Sequence, residues 1–140
     1  MLRTSNAMCH KKYFTNNMID VVCGVVNHND KILITQRGDD KNYGKWEFPG
    51  GKVKKKEKPF DSIKRELFEE LGLTVKPIKE IIRYSYKKFN LIFILCKPLN
   101  PNEIQLTEHL DYFWIGKTEF FKFQFLEGDI SFIQNYLLNK

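Results

Sequence analysis

Glu66, Glu69 and Glu70 stand together beside Arg65, and just upstream lie Gly50 and Gly51 in "GKWEFPGGKV". Spacings of three and four residues bring side chains onto one helix face, so Glu66 neighbours both Glu69 and Glu70. Like charges at these spacings cost about 0.2–0.5 kcal/mol per pair, and a divalent cation reverses that cost. Mg²⁺ is a hard ion that takes carboxylate oxygens, keeps several waters and leaves positions for phosphate oxygens. A glycine pair can bring exposed backbone close to such a site, where a side chain would block the approach. The competing reading is a solvated acidic stripe balanced by Lys64 and by Arg65, which is itself four residues from Glu69.

The element that must carry these carboxylates is a helix over residues 59–71. Pro59 suits its first turn, Asp61 sits where the helix dipole favours negative charge, and Gly72 suits its stop. Phe60, Ile63, Leu67 and Leu71 recur at three- and four-residue steps and form the expected core face. Around the helix the pattern changes to strands. "IDVVCGVV" from Ile19 reads as a buried strand, Asn27–Asp30 as a turn, and "KILITQR" as the returning strand of a hairpin. A second hairpin pairs "EIIRYSY" with "LIFILCK" around Lys87–Asn90; "DYFWIG" is a further strand and "DISFIQNYLLNK" a closing amphipathic helix. Strands mixed with two helices place the chain in the α+β class.

At 140 residues, with 42% hydrophobic and 14% aromatic content, the chain fits one domain with a substantial core. No repeat or linker interrupts it. The domain is expected over residues 18–140, with residues 1–17 a flexible extension in which "SNAM" at Ser5–Met8 resembles a cloning remnant. Cys9, Cys23 and Cys96 are odd in number and far apart, which fits reduced thiols and a cytoplasmic location. No apolar run approaches the length of a membrane helix, and no membrane partner is expected. The net charge of +6 suits an anionic substrate and equally a solvated surface.

Gly51, five residues, Glu57, seven residues, and then "RELFEELGL" from Arg65 to Leu73 resemble the complete Nudix box, G-x5-E-x7-R-E-U-x-E-E-x-G-U. Every fixed position matches, and "WEFPGGK" upstream is similar to the MutT-like branch of that family. The resemblance implies an α/β/α sandwich, a mixed sheet with hairpins held between the box helix and a C-terminal helix. It implies a hydrolase that uses Mg²⁺, with Mn²⁺ able to substitute, to split nucleoside triphosphates into monophosphate and pyrophosphate. 8-oxo-dGTP is the foremost substrate so implied. CTP or dCTP derivatives, dinucleoside polyphosphates and RNA 5′ ends are the alternatives, and a non-catalytic nucleotide-binding module is a third class. Such modules usually lose box carboxylates, and this chain keeps them. The expected partner is a small nucleotide, with no stable nucleic-acid complex, and the chain acts as a monomer or homodimer.

By the same resemblance Glu66, Glu69 and Glu70 are the metal ligands, joined by the Gly50 carbonyl, and Arg65 orients them. Glu57 and Glu108 are candidates for a further acid/base or metal contact. Arg37 and Phe48 match residues near the nucleotide, against the alternatives of a surface arginine and a core ring. Asp129 matches the side chain that reads the base, where oxidised-guanine enzymes carry Asn; the alternative is a cap on the final helix. At the residue before Trp114, where the MutT type carries Glu, this chain has Phe113. His28 and the other histidines carry no ligand spacing. The lysines at 52, 54, 55, 56 and 58 either attract polyphosphate or form a solvated loop.

Overall fold

Alternating side chains along the strands feed two separate cores. In the computed structural model, which describes residues 18–39 and 41–138, β1 (Ile19–His28) and β2 (Lys31–Gln36) form the first hairpin. The turn is tighter than the sequence predicts: β1 runs on through His28, and only Asn29 and Asp30 turn, with φ of 53° and 63°. Asn and Asp tolerate this left-handed pair better than most side chains, and the pair matches the twist of a two-residue hairpin. β5 (Val75–Tyr86) and β6 (Phe89–Pro98) form the second hairpin. β5 starts five residues before the segment recognisable in the sequence. Its early part contains Pro77 and two register shifts, between Pro77 and Lys79 and between Glu80 and Ile82, which break the alternation that marks a strand.

β1 runs parallel to β6, and the remaining pairings are antiparallel. Short strands β3 (Trp46–Glu47) and β4 (Gly50–Lys52) and the later β7 (Asp111–Ile115) complete a seven-stranded mixed sheet. β4 lies on β1, and β7 on β2. Val22 and Val26 of β1 join Ile92, Ile94 and Cys96 of β6 under α1 (Pro59–Leu71). The intervening residues Cys23, Val25, Leu91 and Phe93 face the other way, towards α2 (Glu127–Phe132) and its wider-wound continuation through Leu137. A 3-10 turn at Lys117–Lys122, not foreseen from sequence, supplies Phe120 to that second core. The closing helix therefore begins two residues earlier than expected, and Asn139 and Lys140 lie outside the described residues, as do residues 1–17 with Cys9.

α1 keeps its expected bounds and stops at Gly72, whose φ of 63° is a left-handed cap. Ile63, Leu67 and Leu71 are fully buried, but Phe60 is a correction to the expected core face. It sits in the first turn with 39% of its surface exposed, while small Ser62 is fully buried beside it.

Candidate active site

The glycine pair acts through closeness rather than through an unusual backbone. Gly50 and Gly51 open β4, paired with Cys23 and Val22 of β1. A Cβ on Gly50 would overlap the Val22 carbonyl, and one on Gly51 would overlap the Glu66 carboxylate. The missing side chains thus let β4 approach β1 and let Glu66 lie directly against the strand. Pro49 completes the arrangement by accepting the Gly24 N–H at 2.7 Å.

α1 presents Arg65, Glu66, Glu69 and Glu70 towards this strand. The Arg65 Nε and Nη2 donate to the two Glu57 oxygens at 2.8 and 3.0 Å, a two-pronged grip on a planar partner. Nη1 donates to Glu69 at 3.0 Å and approaches Glu66 at 3.5 Å, and Nη2 also reaches the Lys52 carbonyl at 3.2 Å. Arg65, followed by the Lys54 N–H, holds the Glu57 carboxyl down at about 2. Glu69 is the open member, with 54% of its side chain exposed.

Glu70 is the strained member. Burial first, then the charges of Glu66, Glu47 and Glu108, push its carboxyl up to about 9. Its Oε1 is buried without a hydrogen-bond partner. Among the described residues no three acidic, imidazole or thiol side chains converge tightly enough to hold an ion as they stand. The donor set nonetheless fits Mg²⁺, which is commonly held by one or two carboxylates and completed by water and phosphate. An orphaned carboxylate oxygen, two adjoining carboxylates competing for protons and a side-chain-free strand beside them are what a hard cation relieves.

The residues expected at the nucleotide are spread around a second centre. Phe48 is only 2% exposed and packs among Phe93, Phe120, Phe125 and Phe132. Its ring is therefore core and offers no open stacking face. Its backbone N–H instead donates to Asp129 Oδ2 at 3.2 Å. Asp129 is 4% exposed and does not cap α2; the cap residue is Leu126, with no side-chain bond. Burial, then the charge of Glu47, push the Asp129 carboxyl up to about 8, partly offset by the Phe48 N–H and Arg37. Glu108 is exposed, close enough for its charge to act on Glu70. Phe113 stacks on Trp46.

Sequence reasoning missed Glu47 and passed over His109. Glu47 Oε1 accepts from Arg37 Nη1 at 2.9 Å, and Oε2 lies 3.0 Å from His109 Nε2. Arg37 also pairs with Asp39 through Nη2. The signals available were the Glu within "WEFPGG" and the His within "EHLDYFW", but nothing in the spacing joins them.

A family profile described as NUDIX domain matches residues 17–136. The chain is 43% identical over 79 residues to an 8-oxo-dGTP diphosphatase of Buchnera aphidicola, covering 54% of this chain and 61% of that protein's length. It is 28% identical over 124 residues to a CTP pyrophosphohydrolase of Escherichia coli, covering 86% of this chain and 92% of that protein. The fold superposes with a TM-score of 0.71 on the solution structure of the E. coli ORF135 protein, at 25% identity, over 86% of this chain and 89% of that one.

Proposed function

The chain belongs to the Nudix family, and from that premise we propose that it is a Mg²⁺-dependent pyrophosphohydrolase of nucleoside triphosphates, 8-oxo-dGTP foremost, working on the cytoplasmic nucleotide pool. Nudix hydrolases use divalent metal ions, and here Glu66, Glu69 and Glu70, with the Gly50 backbone, would hold Mg²⁺. When bound, the ion supplies Lewis-acid polarisation of phosphoryl oxygen and a bound hydroxide. The observation that carries this reading is the orphaned Glu70 oxygen beside Glu66, against a strand kept bare by Gly51.

The chain's own residues do the positioning. Arg65 fixes Glu57 and Glu69 at the mouth of the cage, so the carboxylates are oriented before substrate arrives. The lysines of residues 52–58 draw the polyphosphate in. Water oxygen bonds to the β-phosphorus, the bond from that phosphorus to the bridging oxygen breaks, and the nucleoside monophosphate leaves with that oxygen. In ¹⁸O water the label then appears in pyrophosphate. Label in the monophosphate contradicts this assignment.

A second substrate reading, cytosine nucleotides, is favoured by the match to a CTP pyrophosphohydrolase over 86% of this chain and 92% of that protein. Asp129 does not separate the two, because a buried carboxyl that keeps its proton both donates and accepts, as the asparagine amide does. Pyrophosphate release from 8-oxo-dGTP, dGTP, CTP and dCTP, compared by kcat/KM, decides between them. Preference for 8-oxo-dGTP over both cytosine nucleotides sustains the first reading, and the reverse order selects the second.

A further inference from the structure

Four buried side-chain polar atoms among the described residues lack a hydrogen-bond partner: Thr35 Oγ1, Arg37 Nε, Glu70 Oε1 and His109 Nδ1. Three of the four belong to residues beside Glu47. Arg37 and His109 bond it directly. Thr35 is its register partner across β2 and β3. Interiors satisfy nearly all of their polar groups, so such a gathering in one place marks a site built for a ligand's atoms or for water.

The geometry points to His109 as a positioning residue: through Glu47 it holds the Arg37 guanidinium in place for an acceptor oxygen of the nucleotide. This role rests on the hydrolase reading above. An ionised carboxylate only accepts, so Nε2–H of His109 donates to Glu47 Oε2, and Glu47 Oε1 is left for Arg37. His109 and Glu47 keep only 9% and 13% of their side chains exposed, which sets this pair apart from ordinary surface ion pairs. Arg37 stays 31% open, with Nη1 on Glu47, Nη2 on Asp39 and its Nε–H unpaired.

The backbone around the clamp is equally fixed. Arg37 N–H donates to Lys45 O at 2.8 Å, and its carbonyl accepts from Gly44 at 2.9 Å. The segment bearing His109 is docked onto the same strand end. Leu110 N–H donates to Gln36 O at 2.9 Å, and a Cβ on Gly38 would come within 2.7 Å of the Glu108 carbonyl. His109 is therefore carried to Glu47 by a backbone contact with the strand end that aims Arg37.

The test compares His109→Ala with His109→Gln, whose amide can still donate to Glu47. Steady-state pyrophosphate release is read together with the Arg37 Nε–H signal in a ¹⁵N spectrum. His109→Ala should raise KM about tenfold with kcat within about twofold, the pattern of lost substrate binding. The Arg37 signal should shift towards that of a free guanidinium, and His109→Gln should restore both. If His109→Ala does not fold, Glu47→Gln beside His109→Gln carries the comparison, with KM raised in the first only. An unchanged KM in folded His109→Ala, a loss confined to kcat, or failure of the Gln variant to restore KM overturns the role while leaving an active hydrolase. A wild type that turns over no nucleotide overturns the hydrolase reading itself and this role with it.

Discussion

Arg65 and Arg37 both clamp acidic partners, and they leave different things undone. Arg65 spends Nε, Nη1 and Nη2 on Glu57, Glu69 and the Lys52 carbonyl. Arg37 spends only its Nη groups, on Glu47 and Asp39, and keeps a buried Nε–H without a partner. The first clamp is complete in the free protein, as befits a device that orients carboxylates. The second is incomplete: its Nε–H is buried without a partner, at a cost of about 1–3 kcal/mol, while 31% of the Arg37 side chain stays open to a ligand.

The largest effects are expected on the Arg65 side. Glu70→Gln should cut turnover by about 10²–10³-fold, the scale of losing one group that stabilises transition-state charge. Folding should survive, and the sign of the stability change separates this carboxylate from an ordinary salt-bridge member. The folded protein holds the Glu70 proton up to about pH 9, whereas the unfolded chain releases it near 4.5. Its contribution is intact below about 4.5 and is lost as pH rises towards 9. Metal-free Glu70→Gln should therefore melt no lower than wild type at pH 8, and a clearly lower melting temperature would remove Glu70 from the cage.

The glycines give the next contrast. Gly50→Ala meets the Val22 carbonyl, which belongs to the sheet and cannot move aside, so it should destabilise the fold by several degrees in Tm. Gly51→Ala meets the Glu66 carboxylate, which can swing away. It should keep most of its stability and lose activity. Equal melting temperatures for the two variants would break that distinction.

Asp129→Asn probes the second centre more gently. The variant keeps an oxygen for the Phe48 N–H but cannot ionise. Asp129 holds its proton up to about 8 in the fold against an ordinary 3.8, so wild-type stability should decline between those values and the Asn variant should decline less. If Asp129 reads the base, the order of substrates should change as well. Thermal melts across pH 4 to 8 and the four-nucleotide panel measure the two effects separately. The smallest effect belongs to the lysine loop. Neutralising Lys54, Lys55 and Lys56 should raise KM at low ionic strength and little at high salt, because exposed charges act over about 10 Å at 0.1 M. A salt-independent KM would show that the loop is merely solvated.

How legible each clamp was in the sequence follows from chain distance. Arg65, Glu66, Glu69 and Glu70 lie within one and a half helical turns, so spacing alone places them together, and the family box names them. Arg37, Glu47 and His109 come from the end of β2, from β3 and from the segment before β7, and only the folded sheet brings them into contact. The same reasoning explains Phe48. Its type suited stacking on a base, but its burial depends on four phenylalanines from later in the chain. The glycine pair was legible for its physical reason, the close approach that a Cβ would block, but not for which atoms approach, since the Val22 carbonyl and the Glu66 carboxylate meet it only in the fold.

The most direct test of the account is one set of steady-state measurements of pyrophosphate release, on wild type, Arg65→Ala and Arg37→Ala, with Mg²⁺ and with EDTA. Wild type should release pyrophosphate only with the metal. Arg65→Ala should lose kcat with KM little changed, and Arg37→Ala should raise KM with kcat nearly kept. Release that persists in EDTA, or both variants failing in the same kinetic parameter, would contradict it.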